Sequence, residues 1–313
     1  MAVERIDYIP GRAVAPCASV VALGFFDGVH LGHRALIFAA RERADALGLP
    51  LSVFTFPAED ADMKRSAKRL YGTEKKLALL ASLGVDYAYV CDFSAVAHIS
   101  AEDFVKQCLA RELRAAVSAC GFNFRFGHGA AGDAEMLGRY MRELGRESLT
   151  LPPLYLDEEL YSSRAVRTHL EKGEVERACA LLGAPYALAG RVESGDRRGR
   201  TLGFPTVNIP LEENRLCLPS GVYATAVHTE MGDFPSVTNV GTCPTFGARE
   251  LHAETHLCGF SGDLYGKSIE IGFLSRLRDE REFSSGEELI KQINVDKTKA
   301  MEVYKVWQEA GRS

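Results

Sequence analysis

Residues Ala18–Leu23 form a nearly unbroken apolar run, and the ten residues after it change character abruptly. They read Gly24-Phe25-Phe26-Asp27-Gly28-Val29-His30-Leu31-Gly32-His33. Apolar side chains then recur at helical spacing (Leu36, Ile37, Ala40, Ala44, Leu47) until Gly48, with Pro50 just beyond, stops the helix. A buried strand therefore feeds a glycine turn that opens a helix. That sequence of elements places His30 and His33 on one side of the first helical turn, beside unpaired backbone N–H groups and the positive dipole end. A phosphate suits such a place. Gly24, Gly28 and Gly32 let the chain pass a ligand without a Cβ in the way.

The same alternation continues along the first half. Strand-like runs at Leu51–Phe56, Asp86–Val90, Ala115–Cys120 and Ser148–Leu156 are separated by helical patterns at Glu74–Leu83, Ala101–Arg114 and Asp133–Leu144. Such an order predicts an α/β unit, a parallel sheet with helices on both faces, whose ligands bind beyond the carboxyl ends of the strands. Four polar segments fall at those ends: Gly24–His33, Thr55-Phe56-Pro57, Gly121–Gly127 with Asp133, and Ser162–Arg167. Gathered at one rim they would bring two histidines, an arginine and two hydroxyls to a triphosphate, with Mg²⁺ on the leaving pyrophosphate. Each also has a plainer reading. Asn123 would equally cap a turn, Arg125 form an ion pair, Ser162 and Ser163 cap a helix, and Arg167 pair with Glu171.

Near residue 161 the pattern changes. Two short helices end at Leu182-Gly183 with Pro185 behind them, and from Tyr186 onward only strands are legible: Ala187–Ser194, Val222–Thr229, Ser236–Val240, His252–Phe260 and Ser268–Leu274. This predicts an all-β unit, an antiparallel barrel, with a boundary that gives domains 1–183 and 184–313. A last helix, Glu287 to about Gln308, is expected to pack Leu289, Ile290, Ile293, Met301, Val303, Val306 and Trp307 on the barrel. Gly195, Gly199 and Gly203 punctuate an arginine-rich loop able to wrap polyphosphate with backbone N–H groups. Thr206 and Asn208 then share one face of an extended segment and offer oxygens to Mg²⁺. Glu254 shares a face with His252 and His256, which alone describes the wet side of a strand.

A net charge of −5 gives no field for nucleic acid. The longest nearly apolar run, 13–26, is too short to span a membrane, and the N-terminus does not read as a signal peptide. The eight cysteines contain no Cys-x-x-Cys pair, which points to reduced core thiols and a cytoplasmic protein rather than to zinc.

The first-half motifs taken together resemble bacterial bifunctional FAD synthetases: Phe26-Asp27-Gly28-Val29-His30-Leu31-Gly32-His33, Asn123–Gly127, and Ser162-Ser163 with Arg167. The resemblance implies a Rossmann-like nucleotidylyltransferase sheet that adenylates FMN with ATP. His30 and His33 would contact the ATP phosphates in the transition state, Gly24, Phe25, Asp27, Gly28, Gly32 and Asn123 would line the nucleotide pocket, and Ser163 and Arg167 would hold phosphate. Two departures stand out. Arg164 replaces a family hydroxyl, where it either takes over a phosphate contact or crowds the pocket. Pro57-Ala58-Glu59-Asp60 stands where the family has an acidic residue and Pro-His-Pro.

The second half is similar to riboflavin kinase, through Gly203-Phe204-Pro205-Thr206-Val207-Asn208, Gly221-Val222-Tyr223, Asn239–Phe246, Leu264-Tyr265-Gly266 and Leu277–Phe283 in order. The resemblance implies a six-stranded barrel in which Thr206 and Asn208 hold Mg-ATP and Glu254 is the base for the flavin 5′-hydroxyl. Arg278 would touch the flavin. Cys258-Gly259-Phe260 departs from the family's Leu-Asp-Phe. The expected protein converts riboflavin to FMN and FMN to FAD. Two alternatives stay open at this point: a kinase with an inactive first domain, and a flavin-sensing module without turnover.

Overall fold

Val20 and Ala22 turn to one face of strand β2 (Ser19–Leu23), Val21 and Leu23 to the other, and all four are buried. Burial on both faces is the mark of a central parallel strand. In the computed structural model, which describes residues 2–59, 68–193, 204–210, 215–245 and 248–310, β2 lies inside a six-stranded parallel sheet. The other strands are β1 (Glu4–Asp7), β3 (Leu51–Thr55), β4 (Tyr87–Val90), β5 (Ala115–Gly121) and β8 (Glu147–Leu151), in the order β1-β4-β3-β2-β5-β8. Helices α1 (Leu31–Leu47) and α2 (Thr73–Ser82) bury Leu36, Ile37, Ala40, Leu77 and Leu80 on the Val20/Ala22 face. The opposite face is covered by α4 (Ala101–Asp103), its π-helical continuation Phe104–Glu112, and α5 (Ala134–Glu143). A short helix, α3 (Phe93–Val96), follows β4.

One strand was not expected, and one expected strand divides. Strand β1 has only four residues, too few for a visible period, and its place comes from parallel pairing with β4. The run expected as one strand over 148–156 divides into β8 and β9 (Tyr155–Leu156), because Pro152 and Pro153 between them have no N–H to donate. Strand β9 pairs with β10 (Glu159–Leu160), and β6 (Arg125–Phe126) pairs with β7 (Gly132–Asp133).

The chain separates into two compact units, Met1–Ser163 and Arg164–Ser313. The second carries α6 (Ser163–Lys172) from its second residue and α7 (Val175–Leu182), which stops at left-handed Gly183 and packs on the strands that follow. Those strands are β11 (Tyr186–Arg191), β12 (Val207–Pro210), β13 (Gly221–Thr229), β14 (Gly232–Thr245), β15 (Ala248–Leu257) and β16 (Ser268–Arg278). They pair antiparallel in the order β11-β16-β13-β14-β15-β12. The two edges meet where Glu193 N–H donates to Asn208 O at 2.9 Å, so the sheet is a nearly closed barrel. Gly190 permits that meeting: a Cβ there would lie 2.0 Å from Ile209 Cγ2. Inside, Tyr223 meets the edge of Phe273, and Thr225, Thr238 and Thr255 link hydroxyls across three strands at 2.8 and 2.9 Å.

Helix α8 (Gly286–Ala310) lies on the barrel, with Asp296, Ala300 and Tyr304 as its buried positions and Val303 and Trp307 beside them. Met301 and Val306, expected against the barrel, are instead 49% and 67% exposed. The four-residue spacing of the buried set rotates both of them away from it.

Candidate active sites

In the first unit, parallel β2, β3 and β5 end at the same edge, and the turn from β2 into α1 lies there. Phe26, Gly28 and Val29 have φ of 55°, 80° and 44°. A valine in the left-handed region is a true outlier, held only where the surroundings over-determine it. The fastenings are visible. The Phe26 ring is fully buried against Gly24, where a Cβ would come within 3.1 Å of it. Asp27 Oδ1 accepts from Leu70 N–H at 3.1 Å, and Ser163 Oγ donates to Asp27 O at 2.8 Å. Thr55 Oγ1 donates to Phe25 O at 3.1 Å.

His30 is the N-cap of α1, its Nδ1 accepting from His33 N–H at 3.4 Å. That bond assigns its proton to Nε2. The two imidazoles stack with centroids 3.7 Å apart. Burial, followed by His30 and Lys76 nearby, pushes His33 well below the ordinary histidine range, so it is neutral at pH 7. Its Nδ1 is buried with no hydrogen-bond partner among the described residues. Two imidazoles at a helix N-terminus, one with a defined N–H, can hold and polarise a phosphate. Gly32 sits under them, a Cβ there meeting the His30 ring at 3.2 Å.

The structure thus brings Gly24, Phe25, Asp27, Gly28, His30, Gly32, His33, Thr55 and Ser163 together. Asn123 lies at the end of β5, in a turn closed by Phe124 N–H to Gly121 O at 3.0 Å. Arg125 pairs with Asp133 at 3.5 Å on the surface. Arg164 and Arg167 belong to the second unit. Of the divergent segment 57–60, Glu59 caps α2 by accepting from Thr73 N–H at 3.0 Å and from the Thr73 hydroxyl; Asp60 lies outside the described residues.

Sequence reasoning missed Lys76, the centre of this network. It is 1% exposed, and its ammonium reaches Phe25 O, Thr55 Oγ1 and Phe56 O. In an amphipathic helix pattern a lysine beside Glu74 and Lys75 reads as a solvated charge, and no local signal marks it otherwise.

In the second unit the barrel register makes a row. Asn208 pairs with Glu254, Glu254 with Asn239, Asn239 with Val222, and Val222 with Arg278. Ala253, Thr255 and Leu257 point into the barrel, so Glu254 and His256 are on its outer face. There a cavity of about 660 Å³ opens between the strands, the 280–283 segment and Leu289, Ile293 and Asp296 of α8. Thr206, Glu254 and Arg278 all line it. Thr206 Oγ1 donates to Glu254 Oε1 at 2.7 Å. Arg278 Nε donates to Asp296 Oδ2 at 2.9 Å, while Gln292 Nε2 holds the other oxygen of Asp296 at 2.7 Å. His256, not among the expected residues, points Nδ1 at Pro205 O at 2.9 Å and meets Phe204 edge-on, and burial holds its pKa down. Gly195, Gly199 and Gly203 lie outside the described residues.

Thr206, Asn208 and Glu254 give a hydroxyl, an amide and a carboxylate, an oxygen set that fits a hard cation sharing its shell with phosphates. No cluster of three His, Cys, Asp or Glu side chains suited to a metal occurs among the described residues.

Both halves of the chain are similar to known proteins. The family model for FAD synthetase matches residues 13–165, and that for riboflavin kinase matches residues 182–304. The bifunctional riboflavin kinase/FMN adenylyltransferase of Escherichia coli (strain K12) is 36% identical over 291 residues, covering 91% of this chain and 92% of that protein. The protein of the same name from Bacillus subtilis (strain 168) is 35% identical over 295 residues, with coverage of 91% and 92%. A crystal structure described as a macrolide-efflux protein from Streptococcus pneumoniae superimposes with a TM-score of 0.86 at 29% identity, covering 95% of this chain and 98% of that one. Among the described residues no helix is long and apolar enough to cross a membrane. With both domains in order along nearly its whole length, the chain belongs to the bifunctional riboflavin kinase/FMN adenylyltransferase family.

Proposed function

We propose that the barrel row carries the kinase half of the family's activity and the Gly24–His33 turn the adenylyl half, with residues 1–183 and 184–313 as the two domains. ATP phosphorylates riboflavin to FMN, and a second ATP adenylates FMN to FAD with release of pyrophosphate. The observation that carries this reading is the register Asn208–Glu254–Asn239–Val222–Arg278, one row across five strands, four members of which (Glu254, Asn239, Val222 and Arg278) line the cavity.

Glu254 takes the proton of the flavin 5′-hydroxyl as that oxygen attacks the γ-phosphorus and the bond to ADP breaks. The Thr206 hydroxyl orients its carboxylate from one side. Arg278, fixed by Asp296, offers its remaining guanidinium edge to the flavin. Thr206 and Asn208 would hold Mg²⁺, which supplies charge neutralisation on the phosphates when bound. In the first unit His30 donates from Nε2 and neutral His33 stands beside it. Both meet the charge that develops on the α-phosphate as the FMN phosphate attacks, and Ser163 serves as a further phosphate contact. No covalent protein intermediate is needed, because positioning supplies the rate. Cys17, Cys108, Cys120, Cys179 and Cys258 are free cysteines, in keeping with a cytoplasmic setting for both steps.

Incubating the purified chain with riboflavin, ATP and Mg²⁺ should give FMN and then FAD on chromatography. FMN accumulating without FAD at any time would reduce the protein to a kinase.

A further inference from the structure

Lys76 lies near the start of α2 with 1% of its surface exposed. A buried ammonium is costly unless paired and hydrogen-bonded, and here oxygens at the ends of two neighbouring strands satisfy it. Nζ donates to Phe25 O at 3.2 Å, to Thr55 Oγ1 at 3.3 Å and to Phe56 O, and it sits 4.6 Å from the centre of the Phe25 ring. Thr55 Oγ1 donates to the same Phe25 carbonyl at 3.1 Å. That carbonyl is therefore drawn into the core by two donors. The peptide bond after it is trans, so the Phe26 N–H is directed the opposite way. Immediately downstream is the left-handed run Phe26, Gly28, Val29, which leads to His30 and His33.

We propose that Lys76 is a positioning residue for adenylyl transfer: its ammonium fastens the Phe25 carbonyl to the ends of β2 and β3, and so sets the peptide plane and the fixed positive charge that the nucleotide phosphates meet at the 26–33 turn. This role rests on the adenylyl reading of that turn. A donor held in place before the substrate arrives costs no reorganisation during the reaction, which is why such preorganised groups matter most to catalysis. The groups facing the ammonium are Asp27 in the turn, Glu59 after β3, Arg69 before α2 and His33 on α1. Burial pulls the Lys76 pKa down to about 8, opposed by Asp27 and Glu59 and aided by Arg69. The positive charge is therefore complete below that value and lost as pH rises through it.

The test measures FAD formation and riboflavin phosphorylation by the same full-length chain, wild type and Lys76→Met. Wild-type kcat/KM for ATP in FAD formation is expected to fall on an alkaline limb near pH 8. Lys76→Met should lower it by roughly 10–100-fold, mainly by raising KM for ATP, and abolish the limb. Phosphorylation should stay within about twofold of wild type, since Lys76 lies in the first unit. Partial unfolding of that unit would reduce kcat at an unchanged KM. That outcome overturns the role, as does a variant with wild-type KM or with the alkaline limb retained. A wild-type chain yielding FMN and no FAD overturns the adenylyl reading and this role together; a wild type that makes FAD, matched by its variant, overturns the role alone.

Discussion

Glu254 shows how much a single position owes to its neighbours. Alternation along β15 assigns it to the solvent side with His252 and His256, and a glutamate there is ordinary. Its meaning comes from the Thr206 hydroxyl at 2.7 Å and from a cavity that α8 and the 280–283 segment build over it. Glu254→Gln keeps an oxygen to accept from Thr206 and removes only the basic carboxylate. Riboflavin phosphorylation is therefore expected to fall by about 10²-fold or more, with flavin binding retained. Stopped-time chromatography with a flavin-fluorescence titration checks both, and phosphorylation at the wild-type rate would rule Glu254 out as the base. Lys76 is the opposite case. Glu254 is legible from a motif, whereas nothing near Lys76 in the chain announces that its ammonium ends among carbonyls 20 and 51 residues away.

At the scale of elements, the strand–turn–helix unit of β2 and α1 was readable because its signals are local: an apolar run, glycines, a 3.6-residue period and a glycine stop. The barrel too was expected from strand spacing, but the close approach of its two edges was not. Gly190 reads as one more small residue in a strand, yet the approach of β11 to β12 depends on its missing side chain. Gly190→Ala is expected to push Ile209, which is buried, and to destabilise the barrel by about 1–3 kcal/mol. Thermal unfolding followed by near-ultraviolet circular dichroism would register this, and an unshifted barrel transition would show that the edges do not need the close contact. Helix α8 was legible as a helix, with its facing only half right, because Met301 and Val306 are apolar residues that the packing leaves in solvent.

Across the molecule, two compact units carry two different phosphate chemistries, and each should fail separately. His30→Ala removes the N-cap of α1 and one of the stacked imidazoles. FAD formation is expected to drop by about 10²-fold while riboflavin phosphorylation is unchanged; a parallel loss of both, measured in one reaction mixture, would refute that independence. Local order along the chain determined the fold class of each half, the strand-to-helix turn with its two histidines, and the residue types a phosphate site requires, because periodicity, glycine and proline act over a few residues. Tertiary structure alone decided which distant groups meet. Barrel register set Asn208, Glu254 and Arg278 in one row, and burial turned Lys76 from a surface charge into the fastening of the turn. Those outcomes depend on pairing and on exclusion of water, which arise between elements and leave no trace in the spacing of residues within any one of them.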